Sequence, residues 1–398
     1  FFFFSYSPLD MPPIFIGLPS TGEQIDSLCS YFDGIEGANV EVSESASIAE
    51  ALVKLSSNAH LVFSREEKDI RAFFAEFCAF LQKLREGDSR ENEIIDNTIS
   101  SITKSTDQAI LRLSLLNNLY NVFSTASKFR YNVFLSILNF AIETDNTKIV
   151  IPVLPQLKSL LEQWNSTPEQ KQTIYKSVCE LYKKNNPSSF VYYEALKVYL
   201  KTFEETNNEI SESIPSSVEA AVLAIKLDNI HQCDDLLELK AIEQLKNDDK
   251  HSKIYQLLEL FTGQKFDSFD EFTTKNPEFL ESVNLSSTDC SKKIKLLSIA
   301  TIAEENRELS YAKIAETLKV DVSEVELWII SAISAGLIDA KLDQANDRVL
   351  IRQCAKRVFG DDQWKQLQTK LNNWKANVQN MLANVESVTE EKEEDKEN

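Results

Sequence analysis

Apolar residues recur along most of the chain at intervals of three and four, the period of helices buried along one face. From about residue 45 the text is helical, and Ile70, Phe73, Phe74, Phe77, Phe80, Leu81 and Leu84 form one stripe. Helix starts fall near Asp107, Lys128, Lys148, Pro168 and Pro187, about 20 residues apart. A pair of such helices makes a unit of about 40 residues, the size of helical-pair repeats. Ser105-x-x-Gln108 and Thr167-x-x-Gln170 have the spacing of capping boxes, and Pro168 and Pro187 suit a first helical turn. One wide apolar face is expected on each helix, for example Ile110, Leu113, Leu116, Leu119 and Tyr120. A helix pair cannot hide such a face alone, so its neighbours must stack on it. The helical pattern continues through 217–227, 236–246 and 251–262, with a short helix around Phe266, Phe269 and Phe272.

The pattern changes after about residue 288. Lys292 to Ala303 reads as a helix, Ser310 opens a short one over Tyr311 to Leu318, and Asp321-x-x-Glu324 caps a third over Val322 to Ala335. Gly336 stands where a helix-ending C′ residue belongs. Two alternating segments, Leu337–Leu342 and Arg348–Arg352, flank a polar turn. Three helices and a β-hairpin make a winged-helix unit, whose Trp328, Ile329 and Ile333 belong to its core. In the hairpin, Val349 and Ile351 are expected on a strand that offers an open edge to a partner. A final helix, Gln363 to about Val385, carries Trp364, Leu367, Leu371, Trp374, Val378, Met381, Leu382 and Val385 on a heptad seam. Residues 386–398 hold seven acids and two lysines, a net of −5, and are expected to be a disordered tail.

Composition narrows the choice. The 398 residues include only eight glycines, and four of those lie in the first 37 positions. Sheet-rich and nucleotide-binding α/β folds spend glycine on turns and phosphate loops, so a mainly α fold is favoured. The expected architecture is a right-handed helical-repeat solenoid, then the winged-helix unit, then the long C-terminal helix. Its segments are 1–44, an irregular lead-in; 45–186, helical repeats; 187–287, further repeats; 288–353, the winged helix; and 360–385, the terminal helix. The chain does not begin with Met, which leaves its true start open, with Met11 as one candidate initiator.

Charge and chemistry exclude more than they suggest. Net charge is −20, from 42 basic and 62 acidic residues, which argues against broad binding to a bare phosphate backbone. Across 288–352 there are nine Lys/Arg against eleven Asp/Glu, and the only local cluster is Lys292, Lys293 and Lys295. The helix that would read DNA carries Glu324 and Glu326 and no basic residue, so protein contact is expected instead. Six scattered cysteines, Cys29, Cys78, Cys179, Cys233, Cys290 and Cys354, form no C-x-x-C and read as buried thiols in a reducing, cytoplasmic setting. The three histidines, His60, His231 and His251, make no metal motif, and His231 and Cys233 point apart on a helix. Gly17-Leu-Pro-Ser-Thr-Gly22 mimics the start of a phosphate loop, but Glu23-Gln24 follow where Lys-Ser/Thr is required. No apolar run approaches membrane-span length, and Phe1 to Phe4 lack the basic flank of a signal peptide. No catalytic, cofactor or metal residues are assigned.

Several stretches resemble the PCI-domain family: Leu84 to Gly87, Arg112 to Asn121, Arg130 to Leu138, Val325 to Trp328 and on to Gln344, and Gln363 to Leu367 with Leu371 to Asn377. They span about 84–385, and the last is the most specific, because its tryptophans share one seam. This family builds the proteasome lid, the COP9 signalosome and eukaryotic translation initiation factor three, and the resemblance is strongest to the initiation-factor branch. It makes 187–353 the PCI domain. It implies a non-catalytic scaffold whose winged helices pair edge to edge and whose terminal helices gather in a bundle. On this reading Val349, Ile351, Trp364, Leu367, Leu371, Trp374 and Val378 face partners, which are other PCI-domain subunits. The implied assembly sits on the small ribosomal subunit and helps recruit messenger RNA and initiator tRNA. The negative charge suggests that this chain reaches the ribosome through other subunits. A signalosome subunit and, less strongly, a winged-helix nucleic-acid binder are the alternatives.

Overall fold

The computed structural model describes residues 21–33, 35, 47–82, 90–125, 127–204, 210–248, 250–263, 266–356 and 361–397. The chain separates into two compact units between Asn207 and Asn208. The first four-phenylalanine run, Met11 and the phosphate-loop mimic up to Ser20 lie outside the described residues, as does Leu84.

The first unit is helical: α1 Thr21–Ser30, α2 Ile48–Asn58, α3 Glu67–Leu81, α4 Glu91–Thr103, α5 Ala109–Val122, α6 Phe129–Glu143, α7 Leu157–Gln163, α8 Pro168–Asn185 and α9 Phe190–Thr202. Contacts skip one helix as often as they link neighbours: α2 meets α4, α3 meets α5, α4 meets α6, and α6 meets α8. That alternation is the mark of stacked helical pairs. The α3 stripe of Ile70, Phe73, Phe74, Phe77, Phe80 and Leu81 is buried throughout. It forms an aromatic cluster with Tyr31 and Phe32, both edge-on to Phe73.

Within the segment 1–44, the described residues 21–33 are ordered rather than irregular, since Ile25, Leu28 and Phe32 bring α1 into the core. Thr167 and Gln170 form the expected capping box. Ser105 and Gln108 do not: Gln108 has a positive φ, Ser105 Oγ accepts the Asp107 amide, and α5 begins at Ala109. Pro187 is likewise not a first-turn residue, because Ser189 caps α9. The start near Lys148 becomes two 3-10 turns, Thr147–Ile149 and Ile151–Gln156, before α7. Pro152 and Pro155 lack the amides an α-helix needs there. Ile110 is exposed, while Leu111, Leu113, Leu115, Leu116, Leu119 and Tyr120 are buried. Because α5 lies among α3, α4 and α6, its burial is not confined to one stripe.

Two arginines at the heads of family-like stretches explain their presence by closing helix joints. Arg112 donates through Nε to the Asp107 carbonyl at 2.8 Å and through Nη1 to that of Ile102, near the end of α4. Its guanidinium lies 3.7 Å from the centre of the Phe63 ring. Burial lowers the Arg112 pKa, against a smaller opposing pull from Asp107. One helix later, Arg130 donates to the Phe123 carbonyl at 3.0 Å and stacks over Tyr120 at 4.7 Å. Each supplies a donor to helix-end carbonyls that lack one.

The scarcity of glycine has a structural counterpart. Five helices end in the same hydrogen-bonded turn, with an amide bonded back across six residues: Asn146 to Ala141, Ser166 to Leu161, Leu285 to Leu280, Val320 to Ala315 and Leu337 to Ala332. The left-handed residue in each is Asp145, Asn165, Asn284, Lys319 and Gly336. Only one is glycine, although glycine alone carries no Cβ penalty there. Lys319→Gly should therefore raise stability by about 1 kcal/mol. A higher midpoint in chemical denaturation checks this; no gain would mean that the Lys319–Asp270 ion pair at 3.2 Å outweighs the strain.

The second unit opens with α10 Ile214–Lys226, α11 Asp234–Leu237, α12 Lys240–Glu243, α13 Ser252–Gly263, α14 Phe266–Lys275 and α15 Phe279–Ser282. The winged-helix elements follow: α16 Ser287–Glu305, β1 Glu308–Ser310, α17 Tyr311–Leu318, α18 Val325–Ser334, β2 Ile338–Asp343 and β3 Arg348–Cys354. Ser310 caps α17 as expected, whereas Asp321 makes no side-chain cap and a 3-10 turn, Val322–Glu324, precedes α18. The last helix, α19 Asp361–Glu397, continues through the segment expected to be a disordered tail. Glutamate and lysine are good helix formers, and propagation from an existing helix avoids the nucleation cost. The domain limits also shift, since α9 belongs to the first unit although the sequence reading starts the PCI domain at residue 187.

Candidate assembly surfaces

The sheet has the order β1-β3-β2, all antiparallel. Hence β3, which carries Val349 and Ile351, is the central strand. The expectation of an open edge at these residues is corrected. Val349 pairs with Leu309 on one side and Leu342 on the other, and is 1% exposed. Strand β1 was missed because three residues give no visible alternation. Its Glu308 carboxylate holds Arg348 across the pair. The wing edge that pairs with no other strand among the described residues is the far side of β2. Val349→Asp should then unfold the winged-helix unit rather than only disturb a neighbour, at a cost of about 3 kcal/mol or more. Loss of cooperative unfolding at mild denaturant concentration is the expected readout; a folded variant that merely loses a partner would restore the edge reading.

Helix α18 occupies the position of a DNA-reading helix. Its Glu326 carboxylate accepts from Tyr311 Oη at 3.2 Å and from Gln344 Nε2 at 3.0 Å. Val325, Ile329 and Ala332 are buried, and Trp328 and Ile333 are half-buried. The outward side presents Leu327, 66% exposed, and Ile330, 48% exposed, with no cation. Such a face repels phosphate and suits an apolar partner.

The cluster of Lys292, Lys293 and Lys295 is not a basic patch. Lys293 is 4% exposed, and its Nζ donates to the carbonyls of Ala224 at 2.7 Å, Ile225 at 3.1 Å and Leu227 at 2.6 Å. An ammonium with three donors thus meets the last carbonyls of α10, Ala224 and Ile225, and shares that of Leu227 with the Ile230 amide at 3.3 Å. Burial pushes the Lys293 pKa down to about 8, against opposing pulls from Cys233, Asp228 and Cys290. Lys295 lies over the Trp328 ring at 5.3 Å and is half-buried, and of the three Lys292 alone is exposed. Next to this pin, Gln232 donates to the Lys356 carbonyl at 2.7 Å, tying the loop after α10 to the end of β3. Burial, helped by Lys293, lowers the His231 pKa. The sequence offered one signal for this pin, a lysine at an otherwise apolar helix position.

The seam of α19 stands in solvent. Trp364, Leu367, Leu371, Trp374, Val378, Met381 and Leu382 are all exposed, Trp374 by 69%. A 37-residue helix with this stripe is about 55 Å long, and Leu371, Trp374, Val378, Met381 and Leu382 along it are exposed. The six thiols are unpaired by disulfide, with Cys179, Cys233 and Cys290 buried. Burial pushes the Cys78 thiol up to about 12. Among the described residues no group of His, Cys, Asp and Glu is placed to hold a metal, and no helix is long and apolar enough to cross a membrane.

A winged helix on a helical layer, followed by a long exposed seam, defines a PCI-type assembly protein. The PCI domain family matches residues 272–353, and the family described as eIF3 subunit M, C-terminal helix, matches 357–383. The chain is 32% identical to the Dictyostelium discoideum eukaryotic translation initiation factor 3 subunit M, over 94% of this chain and 96% of that one. It is 26% identical to the Homo sapiens protein of the same name, over 95% and 99%, and 30% identical to that of Drosophila willistoni, over 94% and 96%. The chain belongs to the eukaryotic translation initiation factor 3 subunit M family.

Proposed function

We propose that this chain is a non-catalytic scaffold subunit of eukaryotic translation initiation factor 3. It works in the cytoplasm, supporting assembly of the preinitiation complex on the small ribosomal subunit and the recruitment of messenger RNA and initiator tRNA. The observation that carries this is the family relationship over nearly the whole chain, including the C-terminal helix that the sequence alone marks as a seam. Its partners are other PCI-domain subunits of the same complex. One contact uses the free side of β2, behind which Val349 and Ile351 hold the strand; the other uses Trp364, Leu367, Leu371, Trp374 and Val378 on α19. A net charge of −20 supports indirect contact with ribosomal RNA, through other subunits.

Affinity purification of the tagged chain from its own cells, with mass spectrometry, tests the reading. Initiation-factor subunits are expected in stoichiometric amount. Recovery of deneddylase subunits without them would move the chain to the signalosome.

A further inference from the structure

Charge on α19 runs against the balance of the chain. Between Asp362 and Glu386 the sequence holds three lysines, Lys365, Lys370 and Lys375, and no acid, in a chain of net charge −20. All three lysines are exposed. The same stretch carries the apolar seam. With Trp364, Leu371 and Val378 at the a positions of a heptad and Leu367, Trp374 and Met381 at d, Lys370 falls at g and Lys375 at e. The two therefore border the seam on opposite sides. The other e and g positions from Gln368 to Leu382 are Gln368, Asn377 and Leu382, none of them charged.

A helix that covers this seam brings its own bordering residues against Lys370 and Lys375, because e and g positions meet across a helix pair in either direction. At the rim of a water-excluding contact an ammonium favours a carboxylate and repels another cation.

We propose that α19 selects, as its partners in the bundle, helices whose apolar stripe is bordered by Asp or Glu, and that Lys370 and Lys375 set this choice. This rests on α19 being the seam through which the complex assembles. A second copy of the chain is the weaker occupant. With the two seams overlapped it offers only Lys, Gln, Asn and Leu at the border. Sliding it until the seven acids of 386–398 lie opposite the lysines draws the apolar stripes apart. RNA is weaker as well. Three cations along about 15 Å of helix make few phosphate contacts, and bases would leave Leu367, Leu371 and Val378 poorly covered.

The test uses the full-length tagged chain, purified with its partners from its own cells. A zero-length carbodiimide cross-linker joins an amine to a carboxylate only where the two touch. Lys370 and Lys375 are expected to cross-link to Asp or Glu of another subunit, within a segment whose apolar residues follow heptad spacing. Lys370→Glu with Lys375→Glu should lower recovery of partner subunits by about tenfold or more. Its circular dichroism should not change, since both positions are exposed and glutamate is a good helix former. Lys370→Arg with Lys375→Arg should keep the partners and lose the cross-links, because it preserves charge without the reactive amine. Full recovery of partners by the glutamate variant, cross-links that join only two copies of this chain, no cross-link to another subunit, or release of the partners by ribonuclease would each overturn the proposal. If the glutamate variant keeps its partners while Trp364→Ala with Trp374→Ala loses them, the seam reading stands and the charge rule alone fails. If the tryptophan variant keeps them too, the seam reading fails and the charge rule with it.

Discussion

Replacing Trp364 and Trp374 together with alanine is expected to remove the chain from its complex while leaving its circular dichroism almost unchanged. Both rings stand largely in solvent, 60% and 69% exposed, so neither belongs to the buried core that holds the helices together. In a bundle each would bury about 150–250 Å². A central interface tryptophan is commonly worth about 2 kcal/mol or more, so the pair should change affinity by about a thousandfold. Co-purification of partner subunits measures the loss. A collapse of helical signal would instead place the tryptophans in the chain's own core, against their exposure.

The second large effect is expected at Lys293. Lys293→Met keeps the volume of the side chain and removes all three donors, leaving the buried carbonyls of Ala224 and Ile225 without them, while the Leu227 carbonyl keeps the Ile230 amide at 3.3 Å. Unsatisfied buried acceptors cost about 1–3 kcal/mol each, so the variant should lose about 2 kcal/mol or more, visible in chemical denaturation of the full chain. The pH dependence separates this role from simple packing. The folded pKa of about 8 lies below the model value of 10.5, so between these values the unfolded chain binds the extra proton. Stability from this group therefore rises with pH across that window, by about 3 kcal/mol in all. Cys78 and Cys290 work the other way above pH 9, since burial holds their thiols protonated to about 12 and about 11. The difference between parent and Lys293→Met chains removes most of that opposing trend and should show the rise. A difference that stays flat from pH 8 to 10.5 would mean that Lys293 keeps its ordinary pKa, as a solvated ammonium does, in the folded chain.

Where the sequence reading succeeded, the signal was local. The α3 stripe and the α19 seam are periodic over several turns, and a buried or partner-facing stripe leaves the same trace in the text whatever it packs against. The Thr167 box was legible because cap and acceptor lie three residues apart. Where it failed, the deciding partner was remote. Val349 looks like an edge residue until Leu309, far back in the chain, pairs with it through a strand too short to see. Lys293 reads as part of a basic cluster until carbonyls from α10 surround it. Ile110 fits a helical stripe, yet its neighbours leave that position in water and bury the opposite flank.

Glycine shows the division most plainly. By itself the sequence determined that this chain is helical, since eight glycines in 398 residues cannot furnish many tight turns, and that its last helix carries an apolar seam. It did not determine how the helices end. Tertiary structure decided that, placing Asp145, Asn165, Asn284 and Lys319 in the left-handed conformation beside one glycine. The same holds for the wing, where the exposed edge is fixed by which strand lies in the middle. Period and composition are properties of a segment alone, whereas strain is tolerated and edges are exposed only where the rest of the fold dictates it.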